Sequence, residues 1–259
     1  MKIVVLVKHV PEPTAPLRYA DDRTLDRASV EGRLSELDEY AVEQAVRLAE
    51  SGVPATVTFL TLGPARALDA LRKALAMGGD DAVHVSDGSL HGSDALATSL
   101  VLAGALERIG FDLVITGMAS TDGEMSVVPA MVADRLGLPQ LTFAGDLSVA
   151  DGSVTIHRES DVSVEEVTGT LPALVSVTDQ TGEARYPSFK SIMAAKRKPV
   201  TTWSLADLGI DPSAVGLAAA ATAVRSVAPT PPRQAGAVVD DEGDGAVRIA
   251  DFLVAQKLL

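Results

Sequence analysis

The sequence predicts an α/β fold, a parallel sheet covered by helices on both faces, with added strands and a C-terminal arm. Three observations predict it. From Ile3 to Leu136, short β-branched runs alternate with stretches of helical periodicity, the rhythm of right-handed βαβ crossovers. The strand runs are apolar along their length rather than alternating, as strands buried on both faces are. Finally, 47% of residues are hydrophobic but only 3% aromatic, so the core is made of Ala, Val and Leu, which suits helices packed closely on a sheet.

Ile3–Val7 is the first strand. In Asp38–Ser51, Ala41, Ala45 and Leu48 share one face with Val42, Val46 and Ala49 beside them, which is helical spacing. Ser35, with Asp38 three residues on, reads as a weak capping box, and Gly52 as the stop. Thr56–Leu62 is the second strand. Gly63-Pro64 opens a helix carrying Leu68, Leu71 and Leu75, which ends at Gly78-Gly79. Asp81–Val85 is a short strand, Ser93 caps a long Ala/Leu helix to Ile109, and Phe111–Thr116 is a further buried strand. A helix follows from Val127 to Leu136. From Gln140 to Thr178 the rhythm changes to short strands, LTFAGDLSV, SVTIHRE, VEEVTG and LPALVSV, with tight turns at Asp151-Gly152 and near Gly169. Ser188–Lys198 fits one or two helical turns. Ala228–Gly236 holds three prolines and reads as an extended linker. The acidic stretch DDEGDG precedes a last helix, Ala246–Leu259, with Ile249, Phe252, Leu253 and Leu258 on an apolar face.

A formal net charge of −13 and a pI near 4.7 argue against a nucleic-acid coat or an anionic membrane surface, both of which attract cations. The absence of cysteine excludes disulfides and thiolate metal sites. The apolar start is too short for a signal-peptide core, and Val215–Val224 is too short to span a bilayer, so a cytoplasmic protein without membrane insertion is expected. No G-x-G-x-x-G, Walker-type loop, H-E-x-x-H or G-x-S-x-G occurs. His9, His84, His91 and His157 are far apart, and no metal site and no catalytic acid, base or nucleophile is expected from them.

The loop after the fourth strand, Gly117–Ser126 (GMASTDGEMS), stands out, because ligands of an open parallel sheet bind outside the carboxyl ends of its strands. Gly117 and Gly123 let backbone approach a ligand. Ser120, Thr121 and Ser126 offer donors to phosphate oxygens, and Ser126 is placed to cap the helix that follows, with Pro129 in its first turn. Asp122 and Glu124 oppose a phosphate, so they face out or bond a ribose hydroxyl. An ordinary polar strand-to-helix loop stays open beside nucleotide binding. Leu6–His9 and Leu62–Pro64 are strand ends that could share the crevice.

Several stretches together resemble the β subunit of electron transfer flavoprotein: VVLVKHVPEP, LDEYAVEQAVRL, LTLGP with LRKALAMGGDDAVHV, DLVITGMASTDGEMSVVPAMVADRLGLP, IHRESD…LPALVSV, RYPSFKSIMAAKRKP and PPRQAG. The resemblance spans essentially the whole chain. It implies a Rossmann-like adenine-nucleotide-binding core over 1–184, a partner-recognition loop and helix over 185–199, and a C-terminal extension over 200–259 whose terminal helix docks on the partner. It further implies a heterodimer with an α subunit that holds most of an FAD. Such a carrier accepts electrons from acyl-CoA and related dehydrogenases, as in fatty acid β-oxidation, and passes them to a quinone-linked oxidoreductase. The β subunit of this family buries a structural AMP, or a second FAD in electron-bifurcating members.

By the resemblance, the nucleotide contacts fall on Leu6, on Ser35, Glu36, Leu37 and Asp38, on Leu62, and on the run Gly117, Met118, Ala119, Ser120, Thr121, Asp122, Gly123, Glu124, Met125, Ser126, Val127 and Val128. Partner contacts fall on Tyr186, Phe189, Ile192, Met193 and Lys196, with Phe189 as the docking anchor, and on Glu159 toward the mobile flavin domain. Ser35-Glu36 stands where the family has Asn-Pro, and Glu124–Val128 replaces its Asn, Gln and Thr donors. Val162-Ser163 interrupts the acidic run after Arg158. Residues 185–199 gather Arg185, Lys190, Lys196, Arg197 and Lys198 around apolar side chains. A protruding recognition loop, its cations steering an acidic partner, competes with a basic turn whose Phe189 and Met193 fold inward. A stand-alone nucleotide-binding regulator of the universal-stress type is the main alternative function. An adenylating enzyme is disfavoured, because Lys8–Pro13 is rigid and poor in donors.

Overall fold

The computed structural model describes residues 1–52, 54–232, 236, 238 and 240–259; residues 233–235 of the expected linker lie outside the described residues. The chain divides into two units, Met1–Arg225 and Ser226–Leu259. In chain order the first unit contains β1 (Lys2–Leu6), β2 (His9–Pro11), β3 (Gly32–Leu34), α1 (Glu36–Glu50), β4 (Thr56–Leu62), α2 (Leu68–Met77), β5 (Asp81–Val85), α3 (Ala95–Ile109), β6 (Leu113–Gly117) and α4 (Val128–Leu136). It continues with β7 (Gln140–Ala144), β8 (Asp146–Ala150), β9 (Ser153–Glu159), β10 (Val164–Thr170), β11 (Ala173–Val177), α5 (Phe189–Ala195) and β12 (Val200–Trp203). The second unit holds α6 (Gly245–Ala255).

Among the described residues, the main sheet has the order β12-β5-β4-β1-β6-β11-β7, and every neighbouring pair in it is parallel. β1 is central, and four of its five residues are buried. One face packs on α1, α2 and α5 around Ile3, Phe59, Leu71, Leu75 and Ala195; the other packs on α3 and α4 around Val4, Leu60, Leu106 and Val132. β8, β9 and β10 form a separate antiparallel sheet, and β2 and β3 pair antiparallel.

The connections fix where a ligand can enter. From β1 the chain winds outward through β4 to β5, then crosses by α3 back past β1 to β6. Strand order therefore reverses between β1 and β6, and the loops leaving their carboxyl ends part to leave a crevice. Leu6 is paired with Leu60 on one side and Thr116 on the other, so β4 runs two residues and β6 one residue past the end of β1.

Several local expectations change. Ser35 stands at the N-cap of α1 without a side-chain bond, because Asp38 turns instead toward β1 and β6. Asp94, not Ser93, caps α3 by accepting from the Ala97 N–H, while Ser93 Oγ accepts from Gly216 N–H at 2.9 Å. LTFAGDLSV is two strands, β7 in the main sheet and β8 in the small one, broken at Gly145; a Cβ there would meet Gln180 at 2.8 Å. Gly169 lies inside β10 rather than in a turn. Residues 185–199 and the first part of 200–259 belong to the first unit, since β12 pairs with β5 at the sheet edge.

Candidate functional site

Three segments converge on the crevice: the turn after β1, the start of α1 and the loop after β6. The Asp38 carboxylate sits between them. It accepts from the Lys8 backbone N–H at 2.8 Å and from the Gly117 N–H, so it clamps the end of β1 to the end of β6. Burial pushes its carboxyl up to about 7, against the pull of those two N–H groups. Gly117 is required by this packing: a Cβ there would stand 2.6 Å from Asp38 Oδ1 and 2.8 Å from the Leu37 carbonyl oxygen. Gly117 thus serves the α1–β6 contact, and the expected approach of a ligand to it is not what its lack of a side chain provides.

Asp122 also departs from expectation. It faces inward, its side chain 3% exposed, and pairs with Lys8 Nζ at 2.8 Å and with Arg27 Nη2. Burial raises its carboxyl, but Lys8 and Arg27 together overcome that and hold it well below the usual carboxylate range. Lys8 Nζ donates in addition to Ser120 Oγ at 3.1 Å. The Ser120 carbonyl accepts from the N–H groups of Gly123 and Glu124, forming a tight turn. Glu124 and Ser126 both take left-handed backbone, φ 50 and 55, strain of a kind found where a loop is shaped for a ligand. With that conformation Ser126 cannot be the cap of α4; Val127 occupies that place and Pro129 sits in the first turn. Glu124 and Met125 point to solvent.

Leu6, Ser35, Leu37, Asp38, Gly117, Ser120, Thr121 and Asp122 are thus brought together, and Met118 and Ala119 carry the chain between them, with Met118 N–H bonded to the Val177 carbonyl at 2.9 Å. Glu36 lies at the outer edge in an ion pair with Arg33 at 3.1 Å. Leu62 ends β4, on the far side of β1 from the β6 loop. Val127 and Val128 begin α4. Two residues at the centre were not singled out as contacts: Lys8, which lay within the strand end Leu6–His9 expected to share the crevice, and Arg27, which was not anticipated at all. Lys8 could have been found, since it directly follows the apolar run of β1; Arg27 lies in a polar excursion with no periodicity to mark it.

Among the described residues, three buried polar atoms around this crevice have no partner: Ser35 Oγ, Thr121 Oγ1 and Arg27 Nη1. Buried donors are normally paired, so this set matches what a ligand rich in acceptor oxygens satisfies. An adenine nucleotide, with ribose hydroxyls and a phosphate, fits that donor set.

The second surface is the segment 185–199. Arg185 is a staple rather than a free charge: its Nε donates to Glu43 Oε2 at 2.7 Å and its Nη1 to Glu50 Oε1 at 2.8 Å, both on α1. Lys198 Nζ donates to the carbonyls of Leu75, Gly78 and Gly79 at the end of α2, and Arg72 Nη1 donates to those of Ala195 and Lys198. Lys190, Lys196 and Arg197 remain exposed. Ser188 caps α5 through the Ser191 N–H. Ala195 is buried, whereas Tyr186 and Phe189 are 92% and 79% exposed and Ile192 and Met193 also face solvent. The segment protrudes; the alternative with Phe189 and Met193 folded inward is not what forms. Glu159 ends β9, exposed, beside the Arg158–Glu165 pair.

A family model described as "Electron transfer flavoprotein domain" matches residues 22–208. An electron transfer flavoprotein subunit beta of Mycobacterium leprae is 48% identical, with 99% of each chain covered. Protein FixA of Azorhizobium caulinodans is 35% identical over 99% of this chain and 93% of its own. The caffeyl-CoA reductase-Etf complex subunit CarD of Acetobacterium woodii is 33% identical over 88% of each. With its parallel core, its crevice at the strand-order reversal and these full-length relatives, the chain belongs to the electron transfer flavoprotein family, as a β subunit.

Proposed function

We propose that this β subunit, joined to an α subunit that holds most of an FAD, accepts electrons from acyl-CoA and related dehydrogenases and delivers them to a quinone-linked oxidoreductase in the cytoplasm. The observation that carries the donor side is an apolar row kept in water on a short, stapled helix. Phe189 is 79% exposed, and Ile192 and Met193 keep 41% and 44% of their surface in water, the pattern of an anchor awaiting a partner pocket. Lys190, Lys196 and Arg197 flank the row and steer an acidic partner edge. The name of the relative CarD, a subunit of a caffeyl-CoA reductase-Etf complex, supports a CoA-linked redox partner. Glu159 faces the mobile flavin domain, and the exposed α6 residues Ile249 and Phe252 face the α subunit.

The crevice at β1 and β6 holds AMP in this reading. Ser35, Thr121 and the Lys8–Asp122–Arg27 group bind and orient it; the flavin, when bound, supplies the one- and two-electron chemistry. The nucleotide here needs no catalytic acid or base. A second FAD in its place fits the same donors. A lone regulator has no use for a stapled apolar row, and that alternative falls away with the family assignment. Among the described residues no helix is long and apolar enough to cross a membrane.

The test is Phe189→Ala in the purified heterodimer. Burying this side chain in a partner is worth about 1.5–3 kcal/mol, so the kcat/KM for reduction by the donor dehydrogenase falls roughly tenfold to a hundredfold, while thermal stability stays put because the side chain touches little of its own chain. An unchanged rate refutes the anchor.

A further inference from the structure

Residues 12–31 run between β2 and β3 as a strap whose two ends are joined, Pro11 opposite Gly32 and Glu12 N–H bonded to the Glu31 carbonyl at 2.9 Å. None of its residues is buried. It is held by polar ties to loops at the carboxyl ends of three main-sheet strands. Asp22 pairs with His91 Nε2 at 2.7 Å, beyond β5. Arg66, beyond β4, donates to the carbonyls of Ala28 and Val30. Arg27 reaches Asp122, beyond β6.

The Arg27 tie is incomplete. Its Nη2 is spent on Asp122, but Nη1 is buried with no acceptor. A guanidinium fork half bonded and half orphaned is costly unless a further acceptor arrives. The charge balance points the same way. Two cations, Lys8 and Arg27, share the single carboxylate of Asp122, so the group keeps surplus positive charge. Thr121 Oγ1, next in chain to Asp122, is orphaned as well. Glu124–Val128 carries one side-chain donor, Ser126, which leaves a phosphate short of side-chain donors from that loop.

We propose that Arg27, carried in on the strap, is a phosphoryl-binding residue of the crevice: Asp122 fixes its fork, and Nη1 donates to a phosphate oxygen of the bound nucleotide. This rests on the reading of the crevice as a nucleotide site. The monophosphate of AMP and the pyrophosphate of FAD present the same acceptor, and the strap closes over either once the oxygen is in place.

The experiment uses the heterodimer stripped of dissociable nucleotide, as wild type, Arg27→Ala and Arg27→Lys, titrated calorimetrically with AMP, FAD and adenosine. A lost charge-assisted hydrogen bond weakens binding roughly tenfold to a hundredfold. The expected result is such a loss for AMP or FAD in Arg27→Ala, a smaller loss in Arg27→Lys, and adenosine affinity matching wild type. Tryptic cleavage after Arg18 and Arg23 slows with ligand in wild type but not in Arg27→Ala. Equal losses for AMP and adenosine make Arg27 structural and overturn the proposal. AMP and FAD affinities that ignore the substitution overturn it while the nucleotide site stands. A wild-type heterodimer that binds none of the three overturns the proposal and the site together. Because no strap residue is buried, the variants are expected to fold, and matching thermal unfolding checks this.

Discussion

Asp38→Asn is expected to remove a contribution to folding stability that declines as pH rises. In the folded chain burial lifts the Asp38 carboxyl from 3.8 to about 7. Between those values the folded protein keeps a proton that the unfolded chain has released. The stabilisation from this group is therefore complete below about pH 4 and lost as pH rises through about 7. Over that interval of about three pH units, at about 1.36 kcal/mol per unit, the difference reaches about 4 kcal/mol. Other groups act in the opposite sense. Glu43 and Asp122, held low by their cations, lose stability only on acidification. His9, lowered chiefly by burial, adds stability as pH rises toward its ordinary value. These contributions are common to both proteins and cancel when the variant is subtracted. Asn offers one acceptor oxygen where Asp offers two for the N–H groups of Lys8 and Gly117, which adds an offset independent of pH. The assay is equilibrium urea unfolding of wild type and Asp38→Asn at intervals from about pH 4.5 to 8. The gap is expected to move in favour of Asn by about 1.4 kcal/mol per pH unit up to about pH 7 and to level off above it. A gap constant over that range refutes a neutral, buried Asp38.

Two further outcomes follow from the packing. Arg185→Ala leaves the Glu43 carboxylate, 4% exposed, with Arg47 as its remaining side-chain partner, and is expected to destabilise the protein by roughly 2–4 kcal/mol at neutral pH; because the Glu43 carboxyl is held low, this loss shrinks as pH falls through its folded value, which urea unfolding at acid pH measures. Gly117→Ala forces a Cβ to within 2.6 Å of Asp38 Oδ1, and a loss of roughly 1–3 kcal/mol in unfolding free energy is expected; a variant as stable as wild type refutes the close α1–β6 contact.

The parallel core was legible because its strands are buried on both faces and its helices repeat every three to four residues. Thr56–Leu62 and Asp81–Val85 form with the expected bounds. Short edge elements were not: β2, β3 and β12 have three or four residues each, too few for periodicity to register, and their pairing depends on strands remote in sequence. Caps were misplaced by one residue at Ser93 and Ser126, where neighbouring residues compete for the same role and tertiary contacts decide. The crevice was legible from topology and from the Gly117–Val128 loop. Its electrostatic centre was not, since ion pairing of Asp122 with Lys8 and Arg27 joins residues that local pattern cannot relate. For residues 185–199 the sequence left two arrangements open, and the packing of α5 on α2 decides for the one in which Phe189 is exposed.

The stretch bearing Phe189 is tied down at both ends, to α1 through Arg185 and to α2 through Lys198, as the chain strides across four strands from β11 to β12. Ordering it is a cost already met during folding, so little conformational entropy is left to lose when a partner protein docks. Affinity there can stay modest while geometry stays fixed, which suits a carrier that must release one protein before it can meet the next.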